Sequence, residues 1–195
     1  RVTAPPVNLR SDNEAPAAAA IMAAIARAND GAAHSYGADP FTARLEPLCR
    51  DIFETDLAVW PVATGTAANA LCLAELAPAY GAVFCHAAAH IHTDECGAPE
   101  FFTGGAKLVP VAGDHGRLDP ERLDAVLAVW GRHGDHEPAP AALSLTQATE
   151  RGTVYAPDHV AALAAVARAS GLGVHMDGAR FANAIARLGC APDAI

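Results

Sequence analysis

Residues 57–85 read LAVWPVATGTAANALCLAELAPAYGAVFC: a short apolar run, a Thr-Gly-Thr turn, a stretch of helical character, and a second short apolar run. A strand, a tight turn into a helix and a return strand make a βαβ unit, and such units feed a parallel sheet. The same alternation continues toward the C-terminus. Five strands are expected, Leu57 to Val62, Ala82 to Cys85, Lys107 to Val111, Ala141 to Leu145 and Gly173 to Met176. Helices near 65–78, 119–131, 157–170 and 180–187 separate most of them. Asp119-Pro120-Glu121 is a strong helix start, because aspartate caps and proline suits the first helical position. The run Gly131 to Pro140 is loop-like and reads as a surface connection.

Before residue 57 the pattern differs. Residues 1–14 lack periodicity and contain Pro5 and Pro6, as an extended arm would, and residues 15–195 form the rest of the fold. A first helix is expected from a cap at Asn13 or Glu14, through Pro16, to Gly31, with Ile21, Met22 and Ile25 as its apolar stripe. A second spans about Phe41 to Phe53, with Leu45, Leu48 and Ile52 inward.

Composition narrows the function classes. The 195 residues are 52% hydrophobic and 18% charged, the balance of a packed domain. A formal charge of -9 without any basic run lacks the electrostatic footprint of a nucleic-acid binder. The alanine-rich stretch from Ala15 to Ala26 is too short to span a membrane. Five cysteines, odd in number and without a C-x-x-C spacing, read as free thiols in a reducing compartment, so a cytoplasmic location is expected. Of the 13 basic residues only Lys107 is a lysine.

In open parallel sheets ligands gather beyond the carboxyl ends of the strands. Thr64-Gly65-Thr66-Ala67-Ala68-Asn69 lies there, where a strand turns into a helix. Glycine lets the backbone approach an anion, and amides, hydroxyls and the helix dipole bind it. The same residues also suit a plain tight turn with a threonine cap. Asp177, at the tip of Val174-His175-Met176, is either a helix cap or a buried carboxylate with a partner. A phosphate cup and an aspartate on two strand tips together suit pyridoxal phosphate, whose ring nitrogen needs an anionic partner to stay protonated. His86, His90, His92, Asp94, Glu95 and Cys96 cluster in sequence, but their spacing matches no recognised zinc pattern, and no metal is expected.

Five segments, in order, carry a resemblance: Leu9 to Asn13, Tyr36 to Pro40, Thr64 to Thr66, Ala89 to Glu95, and His175 to Ala184. Together they resemble the L-threonine aldolase family, including its phenylserine aldolase-like members, within the fold-type I pyridoxal-phosphate enzymes. The resemblance implies the large domain of that fold, a three-layer α/β/α arrangement on a mostly parallel sheet. It implies that Thr64, Gly65 and Thr66 hold the cofactor phosphate, that His90 stacks on the ring, and that Asp177 pairs with the pyridinium nitrogen. Arg180 would face the ring oxygen and the substrate carboxylate, Ser11 would help to grip that carboxylate, and Tyr36 would stand near the site. His136 falls where the family has a second histidine near the substrate side chain, with His133 competing for the role.

The implied reaction cleaves L-threonine, L-allo-threonine or phenylserine to glycine and an aldehyde, with His90, His136 or a water as base. Another fold-type I lyase or aminotransferase, or a non-catalytic scaffold of the same fold, is the alternative. The resemblance further implies a homo-oligomer, a tetramer built as a dimer of dimers, acting on a small molecule. In the family a lysine after the Asp-Gly-Ala-Arg motif bonds to the cofactor. This chain reaches Ile195 without it, so it is expected to be the N-terminal part, short of the small C-terminal domain and inactive by itself. Lys107, in Gly-Gly-Ala-Lys-Leu-Val-Pro, reads as a solvated charge at a strand start.

Overall fold

A computed structural model describes residues 14–195, in two compact units that divide between Val59 and Trp60. The first contains helices α1 (Ala19–Ala28) and α2 (Thr42–Phe53). Neither buries a single residue, and Ile21, Met22, Ile25, Leu48 and Ile52 all stand exposed. The inward stripes expected from periodicity are therefore corrected: amphipathic spacing specifies which face a helix would bury, not that a partner is present. Helix α1 also starts later than expected. Ala18 precedes it without a side-chain cap, because alanine has no acceptor to pin the first turn. Glu14 is not its cap, and Asn13 lies outside the described residues. Ahead of α2 the Asp39 carboxylate accepts from the backbone N–H groups of Phe41 and Thr42 and from the Thr42 hydroxyl. That hydroxyl, first among the causes, holds Asp39 below the usual carboxylate value.

The second unit is an α/β layer structure. Strands β1 (Gly81–His86), β2 (Lys107–Val111), β3 (Ala139–Thr146) and β4 (Gly173–Asp177) form one sheet in the order β2-β1-β3-β4. Every pairing is parallel. Helices α3 (Gly65–Leu76), α4 (His90–Thr93), α5 (Ala98–Phe102), α6 (Pro120–Val129), α7 (Pro157–Ala169) and α8 (Phe181–Leu188) surround it. Successive strand residues point to opposite faces, and two cores result. Ala82 and Phe84 of β1, with Leu143 and Leu145 of β3, pack toward Leu123 of α6 and Leu163 of α7. Val83 and Cys85, with Ala142, pack toward Leu73 of α3. This is why both strands read as continuous apolar runs rather than as alternating ones. Gly173 permits a close approach of α3, since a Cβ there would stand 2.7 Å from Leu76 Cδ2.

The expected strand Leu57 to Val62 does not form. A strand exists through its ladder, and these residues pair with none of the four strands. The 131–140 connection is as read, largely exposed up to the start of β3 at Ala139, with one 3-10 turn at Gly134–His136. Asp119 caps α6 by accepting from Arg122 N–H at 2.9 Å.

Candidate active site at the carboxyl ends of the strands

Because all four strands run in parallel, their carboxyl ends share one edge of the sheet, and the candidate residues assemble there. Helix α3 begins at Gly65 with Thr64 as its cap, the Thr64 hydroxyl accepting from Ala67 N–H at 3.1 Å. A Cβ on Gly65 would meet nothing within 4 Å. The amino end of α3 is thus open, with its orphan N–H groups and positive dipole end exposed. The cap and the cup, alternatives in the sequence, coexist in one turn.

One helical turn further, Asn69 is buried and its side-chain nitrogen donates twice: to Glu95 Oε1 at 2.9 Å and to Asp177 Oδ2 at 3.1 Å. Asp177 ends β4, opposite Thr146, the last residue of β3. Its Oδ1 accepts from Ala179 N–H at 3.0 Å, and it does not cap α8, whose start at Arg180 has no side-chain cap. Beneath it, His175 Nδ1 pairs with Ser144 Oγ at 2.9 Å across the β3–β4 ladder. Burial holds the His175 imidazole below its ordinary pKa, against the opposing pull of Asp177. Among the described residues, Asp177 is a buried carboxylate with two neutral donors and no ion pair.

His90 opens α4 with a half-exposed imidazole, its Nε2 3.9 Å from Glu95 Oε1. Its backbone N–H donates to Glu150 Oε1 at 3.0 Å. The same oxygen lies 3.4 Å from Arg180 Nη2, while Arg180 Nε donates to the Ala148 carbonyl at 3.0 Å. Glu150, on the loop after β3, therefore ties the start of α4 to Arg180. Burial pushes the Glu95 carboxyl above the usual range, against the Asn69 hydrogen bond and the His90 charge. Glu95 Oε2 and Glu150 Oε2 are buried without a hydrogen-bond partner among the described residues.

Two candidates do not join this group. His136 sits in the turn before β3, and Lys107 is the first residue of β2. Both line one cavity with Gly81 and Ala139, the first residues of β1 and β3, at the amino edge of the sheet. His133 precedes the same turn. Tyr36 stands exposed in the first unit, in a positive-φ turn with Gly37, and Ser11 lies outside the described residues. His86 is engaged with the backbone, its Nδ1 accepting from Ala88 N–H and its Nε2 paired with the Gly113 carbonyl. Among the described residues no three His, Cys, Asp or Glu side chains converge as a metal site would require.

The arrangement fits pyridoxal phosphate on its own chemistry. An open helix amino end accepts a phosphate, and a buried carboxylate without a cation accepts a protonated ring nitrogen. Sequence reasoning gave no role to Asn69, Glu95 or Glu150, although the segment Thr146 to Glu150 is one that the carboxyl-end rule picks out. Asn69 stood in the quoted cup one turn inside the helix, and Glu95 stood in the His-rich segment set aside as a metal site.

Residues 8–195 match the family model described as Beta-eliminating lyase. A low specificity L-threonine aldolase of Pseudomonas aeruginosa is 47% identical over 182 residues, covering 93% of this chain and 52% of that protein. The enzyme of the same description from Saccharomyces cerevisiae is 30% identical over 186 residues, covering 93% of this chain and 46% of its own length. The solved threonine aldolase of Leishmania major superposes with a TM-score of 0.78 at 27% identity, over 85% of this chain and 48% of that one. The chain thus spans about half the length of the curated relatives it matches.

Proposed function

Since the chain belongs to the beta-eliminating lyase family, we propose that it forms the cofactor-binding part of a pyridoxal-phosphate-dependent aldolase. The substrates proposed are β-hydroxy-α-amino acids such as L-threonine, L-allo-threonine or phenylserine, cleaved to glycine and an aldehyde. The observation that carries this reading is the pairing of an open α3 amino end with a buried, cation-free Asp177 joined to that helix through Asn69.

Bound pyridoxal phosphate supplies an electron sink that makes the Cα–Cβ bond of an attached amino acid labile. The chain's residues do the rest. Thr64, Gly65 and Thr66 bind the phosphate with N–H groups and hydroxyls at the start of α3. Asp177 keeps the proton on the ring nitrogen. His90, the half-exposed imidazole of this edge, would lie against the ring and take the β-hydroxyl proton. The same imidazole would return that proton, so that cleavage yields glycine and an aldehyde with no net change in protonation. Arg180, oriented by the Ala148 carbonyl and Glu150, holds the substrate carboxylate and so sets the bond to be broken relative to the ring. Ser11 and Tyr36 are assigned to the substrate side by family resemblance alone. His136, at the amino edge of the sheet within one chain, is assigned to the substrate side chain by family resemblance alone, and Lys107 receives no role.

The exposed apolar stripes of α1 and α2 support a homo-oligomer, with a dimer of dimers as the proposed form. No helix of the described residues is long and apolar enough to cross a membrane, and the five unpaired cysteines favour the cytoplasm. The test, on a protein that carries this chain together with the family's Schiff-base lysine, is to measure pyridoxal phosphate uptake by absorbance and glycine release from L-threonine, L-allo-threonine and phenylserine. Uptake with release of glycine and aldehyde in equal amounts supports the reading. Uptake with transamination products instead favours an aminotransferase, and no uptake refutes the cofactor site.

A further inference from the structure

Resting on that reading of Asp177, we infer that Glu95 is a positioning residue for it: Glu95 bears a proton, shares the Asn69 amide with Asp177, and leaves the pair's single negative charge at the tip of β4.

The argument begins with one nitrogen. Asn69 Nδ2 has two hydrogens, and each is committed to a different carboxyl group, Glu95 Oε1 and Asp177 Oδ2. Both acids are buried, and the Glu95 side chain is fully enclosed. Two carboxylates around one neutral donor in such surroundings repel each other and lose their hydration, so one of them takes a proton. The hydrogen bonds decide which. Asp177 accepts on both oxygens, from Asn69 and from Ala179 N–H, and donors to the charged form favour ionisation. Glu95 takes its hydrogen bonds from side chains alone, and its Oε2 has no partner among the described residues.

The groups facing Glu95 from its neighbours are divided: Asp177 favours the protonated form, while Asn69, His90 and Thr66 favour the charged one, and burial outweighs them. From β4 comes Asp177, a like charge. From α4 comes His90, whose Nε2 at 3.9 Å is beyond hydrogen-bonding distance. From α3 come Asn69 and Thr66, neutral groups whose hydrogen bonds to Glu95 oppose its protonation. Burial, the foremost influence on Glu95, favours its protonated form.

With both amide hydrogens committed, the Asn69 side chain cannot turn, so Asp177 Oδ2 is fixed from the helix whose amino end is the phosphate cup. Glu95 thereby sets the orientation of a carboxylate it does not touch. It also keeps that carboxylate the sole anion of the pair.

The experiment is a pH titration of the protein labelled with 13C at its Glu and Asp carboxyl carbons, with and without pyridoxal phosphate carrying 15N in its ring. The expected result is a Glu95 carboxyl that keeps its proton to higher pH than an ordinary glutamate, with the negative charge of the pair on Asp177. Glu95→Gln, which preserves a neutral acceptor for Asn69, should leave the Asp177 carboxyl shift and the ring 15N shift at their parental values. Glu95→Ala, which frees the amide, should move both. Where the alanine variant fails to fold, the titration and the glutamine variant decide alone. A Glu95 carboxyl that loses its proton at or below the pH of an ordinary glutamate, or a glutamine variant that displaces the Asp177 resonance, overturns the inference. Failure of the parent to take up the cofactor is a separate result: it overturns the functional reading and removes the positioning role with it.

Discussion

Asp177→Asn is the usual way to delete a charge while keeping a shape, but here the shape is not neutral in hydrogen bonding. Asp177 accepts from Ala179 N–H on one oxygen and from Asn69 Nδ2 on the other. An asparagine has one acceptor and one NH2, so while the Asn69 amide keeps its nitrogen between the two acids a donor faces a donor in either orientation. An unsatisfied buried donor costs about 1–3 kcal/mol, partly offset by removing a buried charge. A net loss of about 2 kcal/mol is expected. With a urea slope of about 2 kcal/mol per M, the unfolding midpoint falls by about 1 M. Adding Asn69→Asp should repair the pattern. The introduced amide on β4 then donates to the introduced carboxylate on α3 and accepts from Ala179 N–H, while protonated Glu95 donates to that same carboxylate. Stability should therefore return in the double variant, with a coupling of about 1–2 kcal/mol in the cycle. Activity should not return, because the charge now sits on α3: both variants should lose at least about a hundredfold in kcat, or about 3 kcal/mol of transition-state stabilisation. The readouts are urea melts followed by circular dichroism, and glycine release from threonine. An unmoved midpoint in the single variant, or a double variant no more stable than the single, would refute the donor-against-donor argument.

Three further outcomes follow from the same geometry. Thr64→Ala removes the acceptor for Ala67 N–H and should cost about 1 kcal/mol in unfolding; it should also weaken pyridoxal phosphate binding about tenfold, with Thr64→Ser restoring both in a fluorescence titration. Arg180→Lys loses the guanidinium fork that reaches the Ala148 carbonyl and Glu150 together, so KM for the amino acid should rise about tenfold or more, a larger effect than that on kcat; a kcat loss at constant KM would contradict the carboxylate assignment. His175 has its pKa lowered by burial, so the folded state binds fewer protons than the unfolded one. Its stabilisation is complete above the ordinary imidazole value of 6.5 and is lost as pH falls from there through the folded value. Urea midpoints measured across that range should fall in the parent and flatten in His175→Gln.

Much of this molecule was legible because its signals are local. Asp119-Pro120 starts α6 where a cap and a first-turn proline should, and β1, β2 and β4 lie within a residue or two of their apolar runs. The Thr64 turn and the Asp177 tip are likewise contained in short segments. What could not be read depends on partners distant in sequence. The run 57–62 has a strand's composition but no ladder, and composition cannot supply one. The stripe of Ile21, Met22 and Ile25 has a helix's period but no cover. Asn69 and Glu95 are joined across 26 residues, and Asn69 and Asp177 across 108; no spacing rule reaches that far.

The placement of His136 is a different matter, because the sequence held the means to settle it. In a parallel sheet every strand runs the same way, so a segment that precedes a strand lies at the amino edge, and one that follows it lies at the carboxyl edge. His136 stands before the strand that begins at Ala139, and Lys107 begins a strand itself. Thr64 caps α3, while His90, Glu150 and Arg180 each follow a strand, and Asp177 ends one. Once the sheet is read as parallel, chain direction alone sorts these residues into two groups on opposite edges. Family resemblance proposed a second histidine near the substrate by matching position along a variable loop, a match that is independent of the sorting within one chain. The same rule assigns Glu150 to the site, since it lies just beyond Thr146. Its carboxylate meets both His90 N–H and Arg180 there. Strand polarity thus groups Glu150 with the residues of the carboxyl edge and sets His136 apart from them within one chain.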